Sequence, residues 1–137
     1  MADFQTYADF LLKNRIQHVA TIGLDGNPRN RPFMMAGAKD GRLWYCTANT
    51  KAVYKELQAN PFTQISTSSP DFQWARICGK VQFTQEAAIK KMIYDENPIL
   101  HGMYKGPEDE RFEVFTIVDY EMELSNFSGQ QLKATFK

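Results

Sequence analysis

The segment with the most to offer chemically is Asn49-Thr50-Lys51-Ala52-Val53-Tyr54-Lys55. It reads as the start of a helix, with Asn49 and Thr50 as capping side chains and with Val53 and Leu57 four residues apart on an inward face. A helix N-terminus carries partial positive charge, so a lysine in the first turn has the wrong sign unless an anion sits beside it. Hydroxyl and amide groups next to open backbone N–H donors have the composition of a phosphate or carboxylate cradle, and Lys51 and Lys55 fall on one helical face. The other reading is a solvated helix with ordinary surface lysines.

A second group of residues bears on that choice. Alternation along a strand puts Arg29, Arg31 and Phe33 on one face and Asn30, Pro32 and Met34 on the other. Arginine presents a planar fork suited to phosphate. A proline in such a strand argues for an edge or bulged position, where backbone groups stay available. Further on, Trp74 shares the polar face of a strand with Arg76, Cys78 and Lys80, opposite Ala75, Ile77 and Val81. A tryptophan there marks a partner surface or a flat ligand, or else packs under a helix or loop. Together these features describe an extended aromatic molecule ending in phosphate, held between strands and a helix start. Flavin mononucleotide (FMN) fits that description.

The elements that must position these residues are readable in outline. Phe4, Tyr7, Ala8, Leu11 and Leu12 recur at helical spacing over residues 3–15. Extended runs at 18–24 and 29–38 flank Asp25-Gly26-Asn27-Pro28, a hairpin signal, and Lys39-Asp40-Gly41 makes a similar turn into a strand over 42–48. A three-stranded antiparallel meander is therefore expected first. After the helix at 51–59, which Asn60-Pro61 ends, strands are expected at 62–68 and 72–84, with Gly79 marking a bend or bulge. Thr84 is placed to cap a third helix carrying Ile89, Met92 and Ile93, residues 97–109 read as irregular, and strands follow at 111–124 and 131–136 around Ser128-Gly129. The pattern predicts a mainly β chain, a small antiparallel barrel with short helices packed around it.

Composition narrows the partners. With 137 residues, 43% of them hydrophobic, and 16 basic against 16 acidic side chains, the sequence reads as one domain spanning residues 1–137. A formal net charge of +0 provides no global field for nucleic acid or an anionic membrane, so any anion must be held locally. Cys46, Cys78, His18 and His101 stand apart without metal-ligand spacing, and no metal site is expected. The start lacks a basic segment followed by an apolar one, and no apolar run is long enough for a bilayer, so a cytoplasmic protein with reduced thiols is expected.

The blocks Gly26-Asn27-Pro28-Arg29-Asn30-Arg31-Pro32-Phe33-Met34-Met35, then Gly41-Arg42-Leu43-Trp44-Tyr45-Cys46-Thr47-Ala48-Asn49-Thr50-Lys51, closed by Leu57-Gln58-Ala59-Asn60-Pro61, resemble the pyridoxamine 5'-phosphate oxidase-like family of FMN-binding split barrels. Arg76-Ile77-Cys78-Gly79-Lys80-Val81 continues the likeness, which covers about residues 19–92 and is nearest to the short general-stress and nitroimidazole-resistance branches. The resemblance implies a split antiparallel barrel and a homodimer with FMN at the subunit interface. It assigns Arg31 and Lys51 to the phosphate, the backbone of Pro32, Phe33 and Met34 to the flavin ring, and Cys46-Thr47 to the place of a tyrosine-threonine pair. It puts Trp74 where the true oxidases carry a flavin-contacting glutamine. The candidate cofactor residues are thus Arg29, Arg31, Pro32, Phe33, Met34, Tyr45, Cys46, Thr47, Asn49, Thr50, Lys51 and Trp74.

The C-terminal part departs from the true oxidases: it ends Ser125-Asn126-Phe127-Ser128-Gly129 and holds no tryptophan after Trp74. Pyridoxamine phosphate oxidation is therefore not expected. The expected function is that of an FMN-dependent oxidoreductase whose substrate and electron donor the residues do not specify. The alternatives are a flavin-storing or sensing module and a related haem-binding barrel.

Overall fold

The computed structural model describes residues 3–137. Asp3 opens the first helix, α1 (Phe4–Lys13), by accepting the Thr6 N–H on its carboxylate at 3.1 Å, so an orphan donor of the first turn is satisfied. Four strands follow: β1 (Ile16–Ile22), β2 (Pro28–Met34), β3 (Gly37–Lys39) and β4 (Arg42–Ala48). Then come α2 (Ala52–Ala59), β5 (Phe62–Ser68), β6 (Gln73–Thr84), α3 (Ala87–Glu96), a 3-10 turn (Pro98–Gly102), β7 (Phe112–Asn126) and β8 (Gln131–Phe136). The strands form one antiparallel sheet in the order β2-β1-β5-β6-β7-β4-β3, with β8 also on β7.

β7 is the spine of this sheet. Its first residues, Phe112 to Thr116, pair with β4, its last, Tyr120 to Ser125, pair with β8, and β6 runs along nearly all of it. The register slips between Cys78 and Lys80, which is the irregularity expected at Gly79. A Cβ on Gly79 would stand 2.4 Å from the Tyr120 Cβ, so only glycine allows the two strands to close up there. The sheet curls about a core of Tyr7, Leu11, Val19, Leu43, Tyr45, Ile65, Ile77, Phe115, Ile117 and Met122. A smaller cluster, with Trp44, Ile93, Leu100, Tyr104, Phe112 and Val114, holds α3 and the 3-10 turn against the outer face of β4 and β7.

The opening meander is corrected. The turns form where expected, with Gly26 at φ +83° and with Asp40 and Gly41 at +55° and +72°, but β2 pairs only with β1. The run expected at 29–38 is two strands at opposite ends of the sheet. Between them the Met35 N–H donates to the Arg15 carbonyl and the Ala36 N–H to the Trp44 carbonyl, both at 2.9 Å. Met35 and Ala36 are both buried, which breaks the two-residue alternation and bends the chain inward. Pro28 and Pro32 lack N–H groups, so both must turn that side away from β1, and a strand added on the outer edge would lose two donors. The consequence is a split in the barrel flanked by β2 and β4.

Two capping expectations are also corrected. The N-cap of α2 is Lys51, with no side-chain hydrogen bond, and that of α3 is Glu86 rather than Thr84, whose hydroxyl instead accepts the Glu86 N–H at 3.2 Å. Among the described residues no helix is long and apolar enough to cross a membrane.

Candidate functional site

A cleft of about 270 Å³ opens at the split. β2 contributes Arg31, Pro32, Phe33 and Met34, β4 contributes Cys46 and Thr47, and the start of α2 contributes Lys51 and Val53. Asn97, Ile99, Leu100 and Met103, around the 3-10 turn, form the remaining wall together with Ala36. Asn97 fixes that wall: its side-chain amide donates to the Ala36 carbonyl at 3.0 Å and to the Ile93 carbonyl at 2.8 Å.

Arg31 is held rather than loose. Its Nη1 donates to the Val19 carbonyl at 3.1 Å and to the Thr21 hydroxyl at 2.8 Å, and Nη2 meets Glu56 Oε1 at 2.6 Å. The Thr21 hydroxyl in turn donates to the same Glu56 oxygen at 2.7 Å. Glu56 and Thr21 are both buried, so this is a three-membered network under the cleft. It orients the guanidinium and leaves its Nε–H and one Nη2–H without a hydrogen bond among the described residues. Lys51 is exposed, and its ammonium makes no ion pair among the described residues. The cationic character of the cleft is therefore carried by Lys51, with Arg31 offering directed donors whose charge Glu56 balances.

Two uncharged groups complete the lining. The Thr47 hydroxyl is buried and has no hydrogen-bond partner, which is uncommon for a native polar atom. Cys46 is held neutral, because burial pushes its thiol up to about 11 while the charge of Lys51 pulls weakly the other way. Iodoacetamide at pH 8 is accordingly expected to label exposed Cys78 first and Cys46 slowly, the Cys46 rate climbing until the pH passes about 11. Peptide mapping of the labelled protein over a pH series checks this, and fast labelling of Cys46 at pH 8 would contradict it.

Of the twelve candidate residues, Arg31, Pro32, Phe33, Met34, Cys46, Thr47 and Lys51 line this one cleft. The other five lie elsewhere. Arg29 is the second residue of β2, next to the β1–β2 turn, and pairs with Asp25 at 2.8 Å. Tyr45 points into the core, stacked on Phe115, with its hydroxyl donating to Gln17 at 2.7 Å. Asn49 turns from the helix and donates to the Glu110 carbonyl at 2.7 Å and to Glu113 at 3.0 Å, while Thr50 is an exposed turn residue before α2. Trp74 lines a different groove with His18, Ser66 and Phe127, its ring centroid 5.1 Å from that of Phe127. His101 hydrogen-bonds the Tyr94 carbonyl at 3.0 Å and packs against the Tyr94 ring at a tilt of 30°.

Sequence reasoning missed Glu56, Thr21 and the wall from Asn97 to Met103. Glu56 looked like one more polar position on a helix; its signal was its place beside Leu57 and one turn beyond Val53, on the inward side of α2. Residues 97–109, with two prolines and two glycines, signalled an irregular stretch and nothing more.

A family model described as pyridoxamine 5'-phosphate oxidase matches residues 4–121. No curated protein sequence matches the chain. Among solved structures, a NimC/NimA family protein from Clostridium acetobutylicum is similar, with a TM-score of 0.89 and 26% identity over 97% of this chain and 92% of that one. An FMN-binding protein related to pyridoxamine 5'-phosphate oxidase, from Nostoc punctiforme, has a TM-score of 0.72 and 14% identity over 100% and 98%. A haem-binding protein from Mycobacterium smegmatis has a TM-score of 0.76 and 14% identity, covering 98% of this chain and 59% of that one. The last two likenesses are of fold. The split sheet with its cleft between β2 and β4, and a match running through nearly the whole of that sheet, place the chain in the pyridoxamine 5'-phosphate oxidase family.

Proposed function

We propose that the cleft binds FMN, that a second copy of the chain covers its open side, and that the holoprotein is an FMN-dependent oxidoreductase. The observation that carries this reading is the meeting, in one cleft, of the unpaired Lys51 ammonium, the two spare N–H groups of Arg31 and an unpaired strand edge. The cations suit a phosphate ester. On β2 the prolines turn their nitrogen side outward, so the Pro32 carbonyl and the Met34 N–H and carbonyl face away from β1. Such an edge suits a flat ring whose rim alternates donors and acceptors. The unpartnered Thr47 hydroxyl adds one further contact.

Bound FMN would supply the electron or hydride chemistry. The chain's own residues then need to bind, orient and exclude. Among the described residues no carboxylate and no histidine lines the cleft, which suits a transfer that depends on proximity and alignment more than on proton exchange. Haem is the poorer fit: among the described residues no histidine lines the cleft, the Cys46 thiol is held protonated near neutral pH, and Met34 and Met103, the other candidates for an axial ligand, lie exposed at the lip. Exposed Met34, Ile99 and Met103 at the lip offer apolar surface for a second copy to cover.

The protein purified without added cofactor is expected to be yellow, or to take up FMN one per chain, and to behave as a dimer in light scattering. A colourless protein that binds no added FMN would overturn the cofactor assignment. Reduction of the bound flavin by NADH or NADPH, followed by reoxidation with a nitro compound or oxygen, is the result expected of an oxidoreductase. Flavin that resists both donors would instead identify a storage or sensing module.

A further inference from the structure

Asn49, a candidate cofactor residue by its place before α2, turns away from the cleft and holds the turn that carries Lys51. Its backbone N–H donates to the Arg111 carbonyl at 2.9 Å, and its side-chain amide donates to the Glu110 carbonyl at 2.7 Å and to Glu113 Oε2 at 3.0 Å. Glu113 is 6% exposed and makes no ion pair among the described residues, while its other oxygen accepts the Gln85 amide at 2.8 Å. Two neutral amides thus satisfy a buried carboxylate, and each is costly to remove. The segment that receives Asn49 is itself braced. Asp109, with a side chain only 3% exposed, accepts the Lys105 and Arg111 N–H groups and the Arg111 guanidinium, which also donates to the Met103 carbonyl at 3.1 Å. Met103 belongs to the cleft wall, so the wall and the Lys51 turn share one frame.

We propose that Asn49 is a positioning residue: it anchors the turn so that the Lys51 ammonium stands at the phosphate end of the cleft, without itself touching the ligand. The proposal rests on the FMN reading above. Little else fixes that turn. Lys51 makes no side-chain hydrogen bond as the N-cap of α2, Thr50 is exposed, and the Lys51 N–H only closes the turn onto the Ala48 carbonyl at 3.1 Å. Among the described residues, Asn49 alone ties the turn to the 109–113 segment. Two residues of chain reach at most about 7 Å, so anchoring Asn49 confines the Lys51 backbone to a small volume. A binding group must be held within about 0.5 Å of its working place to contribute fully, and a lysine on a free turn is not.

The test is a double-mutant cycle of Asn49→Ala and Lys51→Ala, read as the ratio of FMN to riboflavin affinity from flavin fluorescence titrations. Riboflavin lacks the phosphate, so a general loosening of the protein weakens both ligands and leaves the ratio alone. Lys51→Ala is expected to lower the ratio about tenfold and Asn49→Ala about fivefold. Once Lys51 is alanine, changing Asn49 should move the ratio by less than about twofold, because the group it positions is gone. Asn49→Ser, whose hydroxyl can serve one of the two acceptors, should fall between asparagine and alanine, and it carries the same cycle if the alanine variant does not fold. An unchanged ratio in the folded Asn49 variant, or a loss that persists in full when Lys51 is already alanine, would overturn the positioning role and leave the FMN assignment standing. An unmodified chain that binds riboflavin as tightly as FMN would overturn the phosphate reading and this proposal with it.

Discussion

Replacing Arg31 and Lys51 together by alanine is expected to weaken FMN binding by about a hundredfold or more. Each supplies charge-assisted hydrogen bonds to the phosphate, and a bond to a charged group contributes roughly 1.5–3 kcal/mol. Two such contributions come to about 3–6 kcal/mol, or roughly 10² to 10⁴ in affinity. The lower figure is the safer one because Lys51 is exposed and screened by salt. The two changes act on one ligand group, so the double variant need not equal the sum of the singles. Titrating FMN and riboflavin by flavin fluorescence separates phosphate from ring: riboflavin, which lacks the phosphate, should lose little. An unchanged FMN affinity, or an equal loss for both ligands, would move the phosphate away from these residues.

Much of the fold could be read from residue order because its punctuation is steric. Gly26, Gly41 and Gly129 all adopt positive φ at the turns they were expected to make, a conformation few residues accept cheaply. β5 runs over 62–68 with strict alternation of exposed and buried positions, as its sequence pattern requires. Strand order was another matter. Alternation tells which side of a strand is buried but not which strand lies beside it, and short turns favour neighbours in sequence. Here β1 pairs with β5 as well as β2, and β4 with β7, contacts made between strands that several other elements separate in the chain. The departure from a meander depends on Met35 and Ala36, two consecutive buried residues inside what looked like one strand.

The same geometry explains which candidate residues meet. Arg31, Pro32, Phe33 and Met34 share a cleft with Cys46, Thr47 and Lys51 because β2 and β4 flank the split. Tyr45 precedes Cys46 in one strand, so it takes the opposite, inward face. Arg29 is on the same face as Arg31 but two residues nearer the hairpin tip, where Asp25 claims it. Asn49 fails as a cap because α2 begins later, at Ala52, and Glu113 draws its amide away. What no pattern disclosed is that Arg31 arrives already paired. A carboxylate on the inward side of α2 and a threonine on β1 are 35 residues apart, and nothing local couples them.

That pairing sets apart two substitutions of Glu56. Glu56→Ala removes the carboxylate that, among the described residues, pairs with a guanidinium whose side chain is 23% exposed. Breaking a buried pair on one side costs about 3–5 kcal/mol, and the partial exposure of Arg31 reduces this to roughly 2–3 kcal/mol. Against a typical domain stability of about 5–15 kcal/mol the loss is large, and thermal melting should fall by roughly 10 °C. FMN affinity should fall as well, since the guanidinium is no longer aimed. Glu56→Gln keeps an oxygen for Thr21 and Arg31 but withdraws the negative charge, so Arg31 stays in place with its charge uncompensated. The expected result is a smaller loss of stability together with FMN binding that is several-fold tighter at low salt and more steeply salt-dependent. A merely structural Glu56 would give the two variants the same order in stability and in affinity. The positioning role fails if Glu56→Gln weakens FMN as much as Glu56→Ala does, or if its salt dependence matches that of the unmodified protein.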